Sequence, residues 1–206
     1  MQVERITWRA KEVRERTVAA VAFVLTFPVL AIAAIAIKVE GVLDRRARGP
    51  VFFRETRIAH GREIELLKLR TLTAASLASL GPGPTHIKHL EAEGTTRVGA
   101  VLKAWYLDEL PQLWNIVRGD MLLIGTRPYP IELYEEELER GITRKRDMPA
   151  GLIGPVQARK GSSFDVVAAD AEYWQALQHR VPGRLLLLDL KILWRSARVV
   201  LQHRGL

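Results

Sequence analysis

Two adjacent carboxylates, Asp108 and Glu109, are the residues best placed by type and spacing to do chemistry. They precede Pro111 and a run in which Leu110, Leu113, Trp114 and Val117 recur at i, i+3, i+4 and i+7, a core-facing helical stripe. Proline is tolerated in a helix's first turn, so the spacing predicts a helix over residues 107–117 that starts beside the two acids. Unpaired N–H groups and the helix dipole favour anions there, and both side chains are expected to be ionised. One carboxylate is then able to attack phosphorus while the other holds Mg²⁺, a hard cation that takes oxygen ligands and bridges phosphates. Asp and Glu are also ordinary residues for a helix cap and first turn. Local spacing alone does not separate capping from catalysis.

Several elements must position this pair. Residues 51–58 and 63–71 read as strands joined by a turn at His60–Gly61, a β-hairpin. Alternation along the second strand puts Ile64, Leu66, Lys68 and Arg70 on one face. Cations at the end of an apolar face either reach toward an anion or are solvated at the strand end. Residues 80–85, with Gly81, Pro82, Gly83 and Pro84, read as a loop, and 150–154 as a glycine-flanked turn. Residues 131–140 read as a charged helix. Near the C-terminus Arg184, Lys191, Arg195, Arg198 and Gln202 share one helical face, with Leu187, Leu190, Leu193, Trp194, Ala197 and Leu201 filling much of the remainder. Such a helix either lies on a membrane surface or packs on a core.

Residues 18–37 carry no charge, and Thr26 is their only clearly polar side chain. At about 1.5 Å per residue they extend roughly 30 Å, the thickness of a bilayer's hydrocarbon core. Pro28 stands at the middle, where it removes a backbone hydrogen bond and kinks or breaks a helix. Arg5, Arg9, Lys11, Arg14 and Arg16 precede the segment, and Lys38, Arg45, Arg46 and Arg48 follow it. Flanks so evenly basic give the positive-inside rule nothing to orient a span by. A helix broken at Pro28 that dips into the membrane and returns, both ends cytoplasmic, is the consistent arrangement; a simple span is its rival.

The chain has 206 residues, a net charge of +8 and no cysteine. Disulfides, thiolate metal sites and cysteine nucleophiles are thereby excluded. The charge favours polyanionic partners, but no zinc-finger spacing or RNA-binding signature appears, and no nucleic-acid partner is expected. Walker A loops, Asp-x-Asp metal motifs and dinucleotide glycine fingerprints are also absent. The pattern predicts an α+β protein: a mainly helical, membrane-associated domain with a short β-hairpin and an N-terminal re-entrant helix. Residues 1–48 form the basic flank and membrane helix, and residues 49–206 the catalytic domain with its C-terminal amphipathic helix. A homo-oligomer is compatible with the sequence, and a membrane-anchored scaffold is the rival to an enzyme.

Residues 107–128, LDELPQLWNIVRGDMLLIGTRP, resemble the signature of the bacterial sugar transferase family. These are monotopic polyprenyl-phosphate phosphoglycosyl transferases, which start many surface-glycan pathways. GPVFFRETR at 49–57, KLRT at 68–71, TRVG at 96–99, AGLIGPVQ at 150–157 and DLKIL at 189–193 resemble further family motifs in order. The resemblance implies that Asp108 is the nucleophile toward a UDP-sugar, that Glu109 holds Mg²⁺, and that undecaprenyl phosphate accepts the phosphosugar after UMP leaves. It implies phosphate binding by Lys68, Arg70, Lys103, Arg127 and Pro128. Asp120 reads as structural. It further implies placement at the bacterial inner membrane among lipids, with the catalytic domain facing the cytoplasm, in exopolysaccharide, O-antigen or glycoprotein glycan synthesis. Departures occur at Thr126, where the family has proline and loses rigidity without it, at Lys103, usually arginine, and at Phe27, usually serine. Trp105 and Tyr106 replace smaller polar residues beside the site.

Overall fold

The computed structural model describes residues 2–79, 94–159, 166–178 and 182–201. The expected loop at 80–85 and the Gln202 position lie outside them. Helix α1 (Gln2–Leu43) has 42 residues, about 60 Å of helix. Helical conformation continues through Pro28, so one helix with an internal proline replaces the expected break into two. Thr26 Oγ1 donates to the carbonyls of Ala22 at 2.7 Å and Phe23 at 3.3 Å, back-bonding of the kind that bends helices. It does not reach the Val24 carbonyl, whose usual helical donor Pro28 lacks.

One face of α1 is buried at Lys11, Glu15, Ala19, Leu30, Ala33, Ile37 and Gly41, with half-buried Ala22 and Phe23 in the interval. The opposite face is apolar and bare: Val24, Leu25, Phe27, Ile32, Ile35 and Val42 are 60–77% exposed. An apolar strip of that length is too large for water and fits a lipid environment.

Strands β1 (Phe52–Ala59) and β2 (Arg62–Leu69) pair antiparallel from Phe52↔Leu69 to Ala59↔Arg62. His60 at φ 51° and Gly61 at φ 69° make the two-residue connection, the left-handed pair that matches strand twist in a tight hairpin. Strands β3 (Leu122–Ile124) and β4 (Gly151–Ile153) pair in parallel. The expected turn at 150–154 is thus a short strand. Its glycines permit close backbone approach: a Cβ on Gly151 would lie 2.2 Å from the Gly125 nitrogen.

Short helices α2 (Ala74–Ala78), α3 (Arg97–Ala104), α4 (Gln112–Arg118), α5 (Ile131–Glu139) and α6 (Arg144–Asp147) follow the hairpin in the chain. Helices α7 (Val166–Gln178) and α8 (Pro182–Leu201) come last. The buried face of α4 is Leu113, Asn115 and Ile116, and Trp114 is 43% exposed. The expected stripe holds at Leu110, Leu113 and Val117, which pack in the core, but Trp114 points outward beside Phe23 of α1, with ring centroids 5.8 Å apart. Asn115, fully buried, docks α4 onto β2: Oδ1 accepts from Leu67 N at 3.0 Å, and Nδ2 donates to Glu65 O at 2.7 Å and Asp120 Oδ2 at 2.8 Å. Asp120 is structural, as expected.

Helix α1 shares its cores with the rest of the chain. Ala19 packs with Ile64, Leu66, Leu113 and Ile116, while Leu30, Ala33 and Ile37 pack with Leu69 and Leu102. A third cluster joins Ile124, Tyr173, Leu177 and Ile192. Polar contacts fix both ends of α1. Lys11 Nζ donates to Asp189 Oδ2 of α8 at 2.8 Å and is paired with Glu15. Glu15 Oε2 accepts from the Leu123 and Ile124 N–H groups of β3. Near the other end, Glu40 accepts from Arg97 N at 2.7 Å and Val98 N at 3.2 Å, capping α3 together with Thr96. Helix α8 combines both expected behaviours: Asp189 and Ile192 face the core, while Leu187, Leu190 and Trp194 are exposed.

Candidate active site

Asp108 and Glu109 lie on a single 3₁₀ turn (Leu107–Glu109), and α4 begins only at Gln112. This corrects the expected helix over 107–117. The turn follows Tyr106, held at φ 56° in the left-handed region, an uncommon conformation for a bulky residue and a mark of local strain. Tight bonds from Tyr106 N to Lys103 O, Leu110 N to Leu107 O and Leu113 N to Leu110 O carry the chain from α3 into α4. Asp108 therefore stands between helices on a constrained corner, where cations rather than a helix terminus must balance its charge.

The surrounding charges come from four segments. The inner face of the hairpin carries Glu55 and Arg57 of β1 and Lys68 of β2, because residues paired across an antiparallel ladder share a face. Lys68 Nζ donates to Glu55 Oε2 at 2.7 Å, and Arg57 pairs with the other Glu55 oxygen. Burial works against ionisation of Glu55, but Lys68 and Arg57 outweigh it and hold the carboxylate below its usual range. Lys103 reaches in from the end of α3 and Arg127 from the segment after β3.

Arg127 donates to Glu109 Oε1 at 3.1 Å, and Glu109 in turn holds the guanidinium protonated. Asp108 is pushed up to about 6, first by burial and then by the neighbouring Glu109 charge, with Lys68 and Lys103 opposing. Asp108 therefore gives up its proton at higher pH than a free aspartate, yet is largely ionised at neutral pH as expected. Asp108 is a desolvated carboxylate poised near neutrality, and such perturbed groups mark reacting sites.

The segment holding Arg127 is rigid despite Thr126. Thr126 N and Oγ1 both donate to the Pro149 carbonyl, at 2.8 and 3.2 Å, and Thr126 O accepts from Gly151 N. On the other side Tyr129 and Ile58 exchange two backbone bonds. An N–H that proline lacks restores the constraint that proline would have supplied. Pro128 is buried and offers no donor, so it shapes the backbone beneath Arg127 and does not itself grip phosphate.

Arg70 is also corrected. It is 2% exposed, and its guanidinium donates to the carbonyls of Pro50 at 2.7 Å, Leu72 at 2.8 Å and Ala47 at 2.6 Å. Its nitrogens are committed to tying the chain after α1 to the end of β2. Lys68 alone of that pair faces the dyad. Glu55 and Arg57 carry no motif that marks them as site residues, although alternation along residues 52–59 puts them on one face with Phe53.

Fold and site together define an α+β protein with one long helix whose apolar face is bare and a carboxylate pair set among cations. The chain belongs to the bacterial sugar transferase family, which it matches over residues 6–203. It is 32% identical over 196 residues to UDP-glucose:undecaprenyl-phosphate glucose-1-phosphate transferase of Caulobacter vibrioides, covering 93% of this chain and 67% of that one. It is 31% identical over 194 residues to the exopolysaccharide production protein ExoY of Sinorhizobium fredii, covering 85% and 81%. A third relative, UDP-N-acetylgalactosamine-undecaprenyl-phosphate N-acetylgalactosaminephosphotransferase of Aeromonas hydrophila, is 29% identical, and the aligned part is 42% of its length.

Proposed function

We propose that this protein transfers a phosphosugar from a UDP-sugar to undecaprenyl phosphate through a covalent intermediate on Asp108, the first membrane step of a surface-glycan pathway. The observation that carries this reading is the desolvated Asp108 between Lys68 and Lys103, with Arg127 held against the adjacent Glu109. Relatives named as undecaprenyl-phosphate sugar-phosphate transferases support the substrate classes.

In the first half-reaction an Asp108 carboxylate oxygen attacks the phosphorus that bears the sugar. A new bond forms between that oxygen and phosphorus, the bond from phosphorus to the bridging oxygen breaks, and UMP leaves with the electron pair. In the second, a phosphate oxygen of undecaprenyl phosphate attacks the same phosphorus, and the bond to Asp108 breaks to regenerate the carboxylate. Lys68, Lys103 and Arg127 orient the phosphates and balance charge as it shifts, arginine with a planar fork and lysines as point charges. The soluble nucleotide departs before the lipid phosphate takes its place.

The donor set fits Mg²⁺. Two adjacent carboxylates whose repulsion helps raise Asp108 are the oxygen ligands such an ion uses alongside substrate phosphates. Glu109 would hold it with Asp108, and when bound it supplies neutralisation of phosphate charge.

Packing at both ends of α1 supports a particular membrane arrangement. Lys11 and Glu15 near one end of α1 and Glu40 near the other all bind the same catalytic body. Both ends of the helix therefore lie on that body's side, which supports a re-entrant path over a span. The catalytic domain would face the cytoplasm, where UDP-sugars are made. UMP release from a panel of UDP-sugars, with undecaprenyl phosphate and Mg²⁺, tests the function. Turnover with at least one sugar is expected; none from a folded preparation would contradict it.

A further inference from the structure

Away from the dyad, a cleft of about 130 Å³ opens between α7, α8 and the 3₁₀ turn at Gln157–Arg159. That is well below the roughly 300–1,000 Å³ of ordinary small-molecule pockets. No residue placed around Asp108 lines it. Its apolar floor includes Tyr173 and Ile192, and its rim carries Arg159, Lys191 and Arg195 against one acid, Glu172. Arg159 is paired with Glu172. Lys191 and Arg195, one helical turn apart, have no ion-pair or hydrogen-bond partner among the described residues. Both stand at the mouth of a small concavity.

Helix α8 sets those cations on a border. At 100° per residue, Lys191 and Arg195 form the stripe beside Leu187, Leu190 and Trp194, which are 52–66% exposed. Arg198 completes the basic side by lying over the Trp194 ring, 4.9 Å from its centroid. One side of the helix thus offers a surface for hydrocarbon with an interfacial tryptophan. The adjoining side offers guanidinium and ammonium donors at the edge of a cleft too small for a nucleotide. A single ligand class matches both: a phosphodiester attached to fatty chains.

We propose that this cleft is a second phosphate site, which seats the headgroup of an anionic membrane phospholipid while its acyl chains run along Leu187, Leu190 and Trp194. The proposal rests on the membrane placement given above. Held this way, α8 is pinned at the lipid boundary, and its core-facing Asp189 carries that restraint to Lys11 of α1.

The test uses the full chain in phosphatidylcholine nanodiscs containing a minority of phosphatidylglycerol. Phosphatidylglycerol retained per protein is counted by native mass spectrometry after release from the discs. The double variant Lys191→Gln/Arg195→Gln should retain roughly tenfold less, or lower still. A control pair on other elements, Arg54→Gln/Arg140→Gln, both well exposed, should retain as much as wild type. Equal losses from both pairs would mean diffuse attraction and overturn the site. Displacement of the lipid by inorganic phosphate at comparable concentration would reassign the cleft to a soluble anion and overturn the lipid assignment. Insertion into pure phosphatidylcholine discs separates the two ideas. A chain that inserts but shows no Lys191/Arg195-dependent retention contradicts this proposal alone, and one that fails to insert contradicts the membrane reading as well.

Discussion

Arg127 and Glu109, eighteen residues apart in sequence, meet at 3.1 Å across the mouth of the candidate site. Glu109 is thereby charge-balanced in the resting protein, and Arg127 is held where a phosphate would replace or share its partner. Removing it should weaken transition-state charge stabilisation. Arg127→Ala is expected to lower kcat by about 10²–10³-fold, with Arg127→Lys intermediate because one point charge replaces a fork. Steady-state UMP release measures both. An Arg127→Ala enzyme within a few-fold of wild type would remove Arg127 from the mechanism.

The position of Asp108 near 6 gives a pH signature. A nucleophilic carboxylate works only when deprotonated, so kcat/KM should fall as pH drops through about 6, well above the range of an ordinary aspartate. Glu109 is one cause of the upward shift, so Glu109→Gln should move the limb to lower pH in whatever activity remains. A limb near 4 in the wild type would contradict this environment.

The same shift bears on stability. A carboxyl whose pKa is higher folded than unfolded destabilises the fold above its folded value and leaves it unaffected below the unfolded one. Relative to the ordinary 3.8, a rise to about 6 corresponds to up to about 3 kcal/mol at neutral pH. Asp108→Asn should therefore raise the unfolding temperature at pH 7.5 in chelator, and the gain should vanish below pH 4. Mg²⁺ should narrow the neutral-pH difference by stabilising wild type. A variant less stable than wild type at pH 7.5 would count against the burial assigned to Asp108.

Lys11 sits with Glu15 and Asp189 out of contact with water, all three 2–3% exposed. Lys11→Met leaves the buried Glu15 and Asp189 carboxylates with only the half-exposed Arg14, 3.4 Å from Asp189 and 3.9 Å from Glu15, and should cost up to about 3–5 kcal/mol, read as lost thermal stability or yield in detergent. A variant as stable as wild type would show that the triad does not hold α1 to α8.

Thr126 offers a sharper comparison. Thr126→Val keeps the N–H bonded to Pro149 and should change stability by less than about 1 kcal/mol. Thr126→Pro, the residue that the motif resemblance leads one to expect, removes that donor and should cost about 1–3 kcal/mol. The reverse order would mean that proline's rigidity outweighs the bond.

Much of this was legible in sequence where a local rule governed the outcome. Alternation and the His60–Gly61 pair gave the hairpin and the inward face of Lys68. The uncharged run at 18–37 gave the apolar helix, and the ordered motifs gave the family. What escaped depends on partners distant in the chain. Arg70 looked like a phosphate ligand because nothing local reveals three carbonyls, at Ala47, Pro50 and Leu72, closing on its guanidinium. Trp114 fitted a core stripe, yet α1 leaves that side of α4 open. Strands β3 and β4 are three residues each, too short for a periodic signal, and Asn115 shows its role only once β2 lies beside it. The electrostatics around the carboxylate pair are not legible locally: a left-handed Tyr106 and the cations Lys68 and Lys103 stand where the sequence predicts a helix terminus.

Covalent attachment of Asp108 to phosphorus is tested most directly by trapping it. The protein is mixed with a UDP-sugar labelled in the sugar-bearing phosphate, with Mg²⁺ and without lipid phosphate, then quenched and digested. Wild type should release UMP in a burst equal to the amount of enzyme and carry the label on the peptide containing Asp108, while Asp108→Asn carries none. UMP release that appears only when undecaprenyl phosphate is added, or label that persists in Asp108→Asn, would contradict the account.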